Sequence, residues 1–155
     1  MGGNWLSDLA LGERYQTEAM RLLGDGVFED SPKGVVFSDW DFKYNGVPYE
    51  VKADRLAHRT GNLCIEYQHS LKPSGIAVTK AEWWFYFVLR GDSYTCYKIP
   101  TSVIKERMVG CRKWHTDGGN CLFYLVPASQ FSDYIFSPTA LTRPVPRPLP
   151  PTVPV

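Results

Sequence analysis

Two acids and a lysine give this sequence its clearest chemistry. Asp41, Glu50 and Lys52 lie in the stretch S-D-W-D-F-K-Y-N-G-V-P-Y-E-V-K that ends at Lys52. Carboxylates beside a lysine can hold a hard divalent cation, orient a water and offset charge that builds up on a phosphate. That chemistry requires all three groups on one surface. Like charges held close repel, and a cation between Asp41 and Glu50 would remove the conflict. A hydrated, purely solvated charged face is the alternative that the residues alone leave open.

The element that must position them is a hairpin. Asn45-Gly46 sits between alternating apolar residues, and a two-residue type I′ turn needs positive φ at both central positions, which Asn and Gly tolerate. The turn predicts Tyr44 opposite Val47, Phe42 opposite Tyr49, Asp41 opposite Glu50 and Asp39 opposite Lys52. Opposed Cβ atoms lie roughly 4.5–5.5 Å apart. Alternation then sorts Trp40, Phe42, Tyr44, Val47, Tyr49 and Val51 to one face. Asp39, Asp41, Lys43, Pro48, Glu50 and Lys52 go to the other.

Around the hairpin the chain reads as one domain over residues 1–137, followed by a tail over 138–155. A helix is predicted from Asn4 or Ser7 to Leu23, with Ser7 as a candidate N-cap and Leu11, Tyr15, Ala19, Leu22 and Leu23 as its buried stripe. Glu18 falls at the edge of that stripe and Glu13 on the opposite face. Val27 to Glu29 reads as a short strand, and Ala53 to Gly61 as a basic, glycine-ended loop. Asn62 to Gln68 is a further strand, on which Glu66 is either another site carboxylate or a solvating charge at a sheet edge. Thr79 to Glu82 predicts a short helical turn. Trp83 to Leu89 and Tyr94 to Ile99 form a strand pair across Gly91-Asp92-Ser93. A helix follows from Pro100 to Met108, then a polar loop from Trp114 to Asn120 and a strand from Cys121 to Val126. From Ser137 prolines recur, and R-P-V-P-R-P-L-P-P has the look of an SH3-type ligand in an extended tail.

Composition sets the broad class. The 155 residues are 44% hydrophobic, 14% aromatic and 21% charged, with a net charge of +1, the profile of an ordinary globular domain. The balance is not that of a strongly basic nucleic-acid binder, but Lys52, Arg55, Arg59, Lys72 and Lys80 cluster against only Glu50, Asp54 and Glu66. No apolar run reaches membrane-span length and no signal peptide is visible, so the expected location is cytoplasmic, with no membrane partner. Cys64, Cys96, Cys111 and Cys121 match no common zinc spacing and read as buried or idle thiols.

Asp41 followed by Glu50-Val51-Lys52 on the neighbouring strand resembles the D…ExK signature of the PD-(D/E)XK nuclease superfamily. The segments Thr60 to Glu66 and Lys72 to Ala81 resemble small phage-encoded members, and the likeness spans residues 8–90. Trp40 stands where the signature has proline. The resemblance implies an α/β fold, a mixed β-sheet with flanking helices in a restriction-endonuclease-like core. It implies Mg²⁺, for which Mn²⁺ can substitute, held by Asp41, Glu50 and the Val51 carbonyl, with Lys52 positioning or deprotonating a water. Glu18 is the candidate for the superfamily's helical catalytic glutamate, while Glu13, Asp39 and Glu66 stay open as further contributors. Arg55, Arg59, Lys72 and Lys80 become candidates for DNA backbone contacts, and hydrolysis of DNA phosphodiesters the expected activity. A phage-encoded member would work in the host cytosol, and members that cut two strands pair as homodimers. A catalytically inactive nucleic-acid-binding relative and an adaptor acting through the proline-rich tail are the competing readings.

Overall fold

The computed structural model describes residues 5–136; the proline-rich tail and its SH3-like pattern lie outside the described residues. The chain runs α1 (Trp5–Leu23), β1 (Phe28–Asp30), β2 (Phe42–Tyr44), β3 (Val47–Asp54), α2 (Ala57–Thr60), β4 (Asn62–His69) and β5 (Lys72–Pro73). It continues through β6 (Trp83–Arg90), β7 (Ser93–Pro100), α3 (Thr101–Arg107), β8 (Arg112–His115) and β9 (Cys121–Pro127). The fold is α/β with a mixed sheet. That sheet has five strands in the order β1-β2-β3-β6-β7, and a second, of four strands, has the order β5-β4-β9-β8.

The hairpin closes in the predicted register, with Phe42 opposite Tyr49 and Tyr44 opposite Val47. Asn45 and Gly46 both adopt positive φ, 50° and 79°. Next to it β3 and β6 run parallel, and β6 and β7 antiparallel. Strand β6 is apolar from Trp84 to Leu89 because both of its faces are covered, as parallel-paired strands require. Phe85, Phe87 and Leu89 turn to one side and pack with Tyr15, Ala19, Phe42, Tyr49 and Tyr94 beneath α1. Trp84, Tyr86 and Val88 turn to the other and pack with Leu63, Ile65, Ile99, Ile104 and Val126. Each fully buried aromatic or branched side chain contributes about 1.5–3 kcal/mol, so two such layers hold the central sheet between α1 and the second sheet.

Several local expectations give way to this arrangement. The helix begins at Trp5, in keeping with the earlier of the two predicted starts, so Ser7 lies inside it rather than capping it. Trp40 packs with the layer against the second sheet, not with the hairpin's apolar face, because the regular ladder begins only after it. Residues 62–69 build the second sheet, where β4 is an interior strand and Glu66 is not on a sheet edge. The 3-10 turn lies at Gly75–Ala77, ahead of the predicted helical turn at Thr79. Trp114 belongs to strand β8 rather than to a loop. Gly75 has φ +52°, and a Cβ there would stand 2.3 Å from the Glu66 carbonyl oxygen, so this turn lies directly on the β4 backbone at Glu66.

Candidate functional site

Asp41, Glu50 and Lys52 meet on the central sheet's inner face, at the mouth of the gap between the sheets. On β3, Tyr49 is buried under α1, which turns Glu50, Lys52 and Asp54 to the opposite side, in register with Trp84, Tyr86 and Val88 of β6. Lys52 Nζ lies 3.4 Å from Glu50 Oε1 and 5.8 Å from the Trp84 ring centre. Asp41 sits one residue before β2, where its N–H donates to the Tyr49 carbonyl at 2.8 Å. Its Oδ2 accepts the Val51 N–H at 2.7 Å. Because paired residues in an antiparallel ladder present N–H and C=O on the same side, the Val51 carbonyl leaves β3 toward Asp41 as well.

These charges are in conflict. Burial pushes the Asp41 carboxyl up, against the Val51 N–H and Lys52, which favour its ionised form. Burial also raises Glu50 to about 7; Lys52 opposes that rise, and the charges of Asp41 and Glu66 add to it. The Glu50 side chain is only 13% exposed. Burial alone would lower Lys52, but Glu50, Asp41 and Glu66 together outweigh it and raise its pKa. Lys52 is therefore a firmly protonated cation facing three carboxylates.

A cleft of about 530 Å³ opens beside Lys52, lined by Asp54, Arg55, Cys64, Glu66, Tyr86, Cys121 and Phe123 among others. Its walls are cross-braced. The Tyr86 hydroxyl donates to Asp54 Oδ2 at 2.5 Å and accepts the Cys64 N–H at 2.9 Å. Asp54 Oδ1 accepts the Leu56 and Ala57 amides at 2.8 and 3.0 Å, capping the start of α2. The Cys121 thiol donates to Glu66 Oε1 at 2.9 Å. Burial and that bond push Cys121 up to about 12, and burial with the Asp54 charge pushes Cys64 to about 11, so both remain neutral thiols.

The sequence-predicted residues divide on this geometry. Asp41, Glu50 and Lys52 come together, and Glu66 joins them as a charge facing Lys52. Glu18 does not. It is buried at 4% exposure beneath α1, on the far face of the central sheet, where it accepts the Tyr94 hydroxyl at 3.0 Å and Arg21 Nε at 3.0 Å. The 3.6-residue period of α1 turns it toward Tyr94, away from the acids. Glu13 lies along the outer side of α1, lining a separate cavity with Asp30 and Lys33. Asp39 pairs with Lys80 at 3.5 Å instead of facing Lys52. Of the basic set, Arg55 lines the cleft, Arg59 is exposed on α2, Lys72 stands on β5, and Lys80 lines a different cavity beside Lys105. Asp54, Tyr86, Cys121 and Phe123 escaped the sequence reading. Only the alternation within β3, β6 and β9 bears on them.

Among the described residues no group of three or more His, Cys, Asp or Glu side chains converges as a metal cage. The available donor set is the two carboxylates of Asp41 and Glu50. That set suits Mg²⁺, which keeps several waters and takes one or two carboxylates plus substrate phosphate. Compared with known proteins, the chain matches no family model, no curated protein and no solved structure. No helix among the described residues is long and apolar enough to cross a membrane.

Proposed function

We propose that this protein is a Mg²⁺-dependent nuclease with a restriction-endonuclease-like core, hydrolysing DNA phosphodiester bonds at Asp41, Glu50 and Lys52. The observation that carries the reading is the pair of largely buried acids, Asp41 and Glu50, each raised in pKa and both facing one lysine, whose Nζ lies 3.4 Å from Glu50. Without a cation that pairing is electrostatically costly, and with one it is complementary.

In this reading Asp41, Glu50 and the Val51 carbonyl would hold the ion. When bound, Mg²⁺ supplies Lewis-acid polarisation of the phosphate and a water of lowered pKa. Lys52, paired with Glu50 at 3.4 Å, would orient the attacking water and offset phosphorane charge. The Val51 N–H fixes the Asp41 carboxylate, and Glu50 is fixed by Lys52, so both ligands are oriented in advance. Arg55, at the cleft wall, is the first candidate for a phosphate contact.

The test is nicking of supercoiled plasmid by the full-length protein with Mg²⁺ or Mn²⁺. Nicking is expected in the wild type and lost in Lys52→Ala and Glu50→Gln, with thermal melting showing both variants folded. Nicking that persists in Lys52→Ala, or a wild type inert with both ions, overturns the reading.

A further inference from the structure

The outer face of the second sheet leads away from the cleft in an ordered row. Directly opposed residues on antiparallel strands share a face. Glu66 is opposite Phe123, and Phe123 is opposite Trp114; one step along, Cys64 is opposite Leu125, and Leu125 is opposite Arg112. Cys64, Glu66 and Phe123 line the cleft beside Lys52. The row Glu66–Phe123–Trp114 therefore starts in the candidate active site and ends at the exposed edge strand β8. Strands stand about 4.8 Å apart, so Trp114 lies roughly 10 Å across the sheet from the Glu66 position.

Trp114 is unlike the other tryptophans near the core. It is 49% exposed, whereas Trp84 is fully buried. Arg112 shares its face, with the guanidinium 5.2 Å from the Trp114 ring centre. All four residues of β8 are exposed, and the segment Arg112-Lys113-Trp114-His115 contains no acid. At the other edge of the same sheet, His69 is opposite both Cys121 and Lys72, which puts Lys72 on this face too. The bulge between Glu66 and Gln68 is what restores that phase. An exposed indole beside an arginine, with a lysine at the far edge, complements a strand of phosphates whose bases are free to stack.

We infer that the Phe123–Trp114–Arg112 face of the second sheet is a track for an unpaired polynucleotide strand, delivering it to the cleft at Lys52. This deepens the proposed nuclease function and rests on it: the preferred substrate class is nucleic acid with a single-stranded stretch next to the scissile phosphate. Bases stack on Trp114 and Phe123, Arg112 and Lys72 meet phosphates, and paired bases, whose faces are hidden, cannot use the track.

The test is binding without cleavage, by fluorescence anisotropy in EDTA. The probes are a labelled oligothymidine DNA strand, an oligouridine RNA strand and a blunt duplex, against wild type, Trp114→Ala and Arg112→Glu. Both β8 side chains are exposed, and melting curves verify that the variants fold. Wild type is expected to bind a single strand more tightly than the duplex, with Trp114→Ala weakening single-strand binding about 10-fold or more. Arg112→Glu should weaken it and lower its salt dependence. Whichever of the DNA and RNA strands binds tighter identifies the sugar the track accepts. Equal binding by wild type and Trp114→Ala, or tighter binding of the duplex, overturns the inference. Because no metal or cleavage is involved, a protein that binds single strands but never nicks plasmid defeats the hydrolase reading and leaves the track standing. One that nicks plasmid but ignores Trp114→Ala does the reverse.

Discussion

The two faces of the central sheet each bury a carboxylate, and they treat it in opposite ways. Beneath α1, Glu18 is satisfied: the Tyr94 hydroxyl and the Arg21 guanidinium both donate to it. On the other face Asp41, Glu50 and Glu66 all bear on one lysine, beside an open cleft. The same chemical group serves as a tether where its partners balance it and as a candidate ligand where they do not. Burial alone does not mark a functional acid; burial with unbalanced charge and an open approach does.

That contrast can be broken most severely by exchanging the roles. Glu50→Ala should reduce Mg²⁺-dependent plasmid nicking by about 10²–10³-fold, measured at a temperature where the variant is folded. Glu18→Ala, assayed the same way, should keep wild-type nicking. Loss of nicking in folded Glu18→Ala would erase the distinction between the faces.

Stability should respond in the reverse sense. Glu18→Ala leaves the Tyr94 hydroxyl buried without its acceptor, which costs about 2–3 kcal/mol in chemical denaturation. Glu50→Gln removes a charge that the fold disfavours. The folded pKa of Glu50, about 7, lies above its ordinary 4.5, so the native state binds more protons than the unfolded chain in that interval. The stability of the metal-free protein should therefore fall as pH rises from about 4.5 through 7, by on the order of 2 kcal/mol. Glu50→Gln should flatten that slope, and Mg²⁺ should raise the wild-type melting temperature at pH 8 but not that of the variant. A slope unchanged by Glu50→Gln would place the conflict elsewhere.

The smallest effect sharpens the comparison from the satisfied side. Tyr94→Phe deletes one donor to Glu18 while Arg21 remains, so it should cost about 1 kcal/mol with no change in nicking or in the pH slope.

How much of this was legible beforehand varies residue by residue. Asn45-Gly46 announced its turn, because few residue pairs tolerate two positive φ values, and alternation from that point put Asp41, Glu50 and Lys52 on one surface. The turn at Ser70-Leu71 also has positive φ at both residues, 50° and 65°, yet carries no glycine to signal it. The β4–β5 hairpin and the bulge beside Glu66 were therefore invisible. Glu18 misled because helical periodicity gives a residue's angle around the helix, not which face of the sheet that helix will cover.

By itself, then, the sequence determined the hairpin, its register and the company Asp41 keeps with Glu50 and Lys52, since short-range backbone preferences and a period of two suffice for that. Only the tertiary structure decided that Glu66, Cys121 and Phe123 line the cleft beside Lys52 and that Glu18 does not. Those placements depend on pairing between β4 and β9, far apart along the chain, and on which side of a central sheet each covering layer comes to rest. No local propensity encodes them; the burial of two separate aromatic layers does.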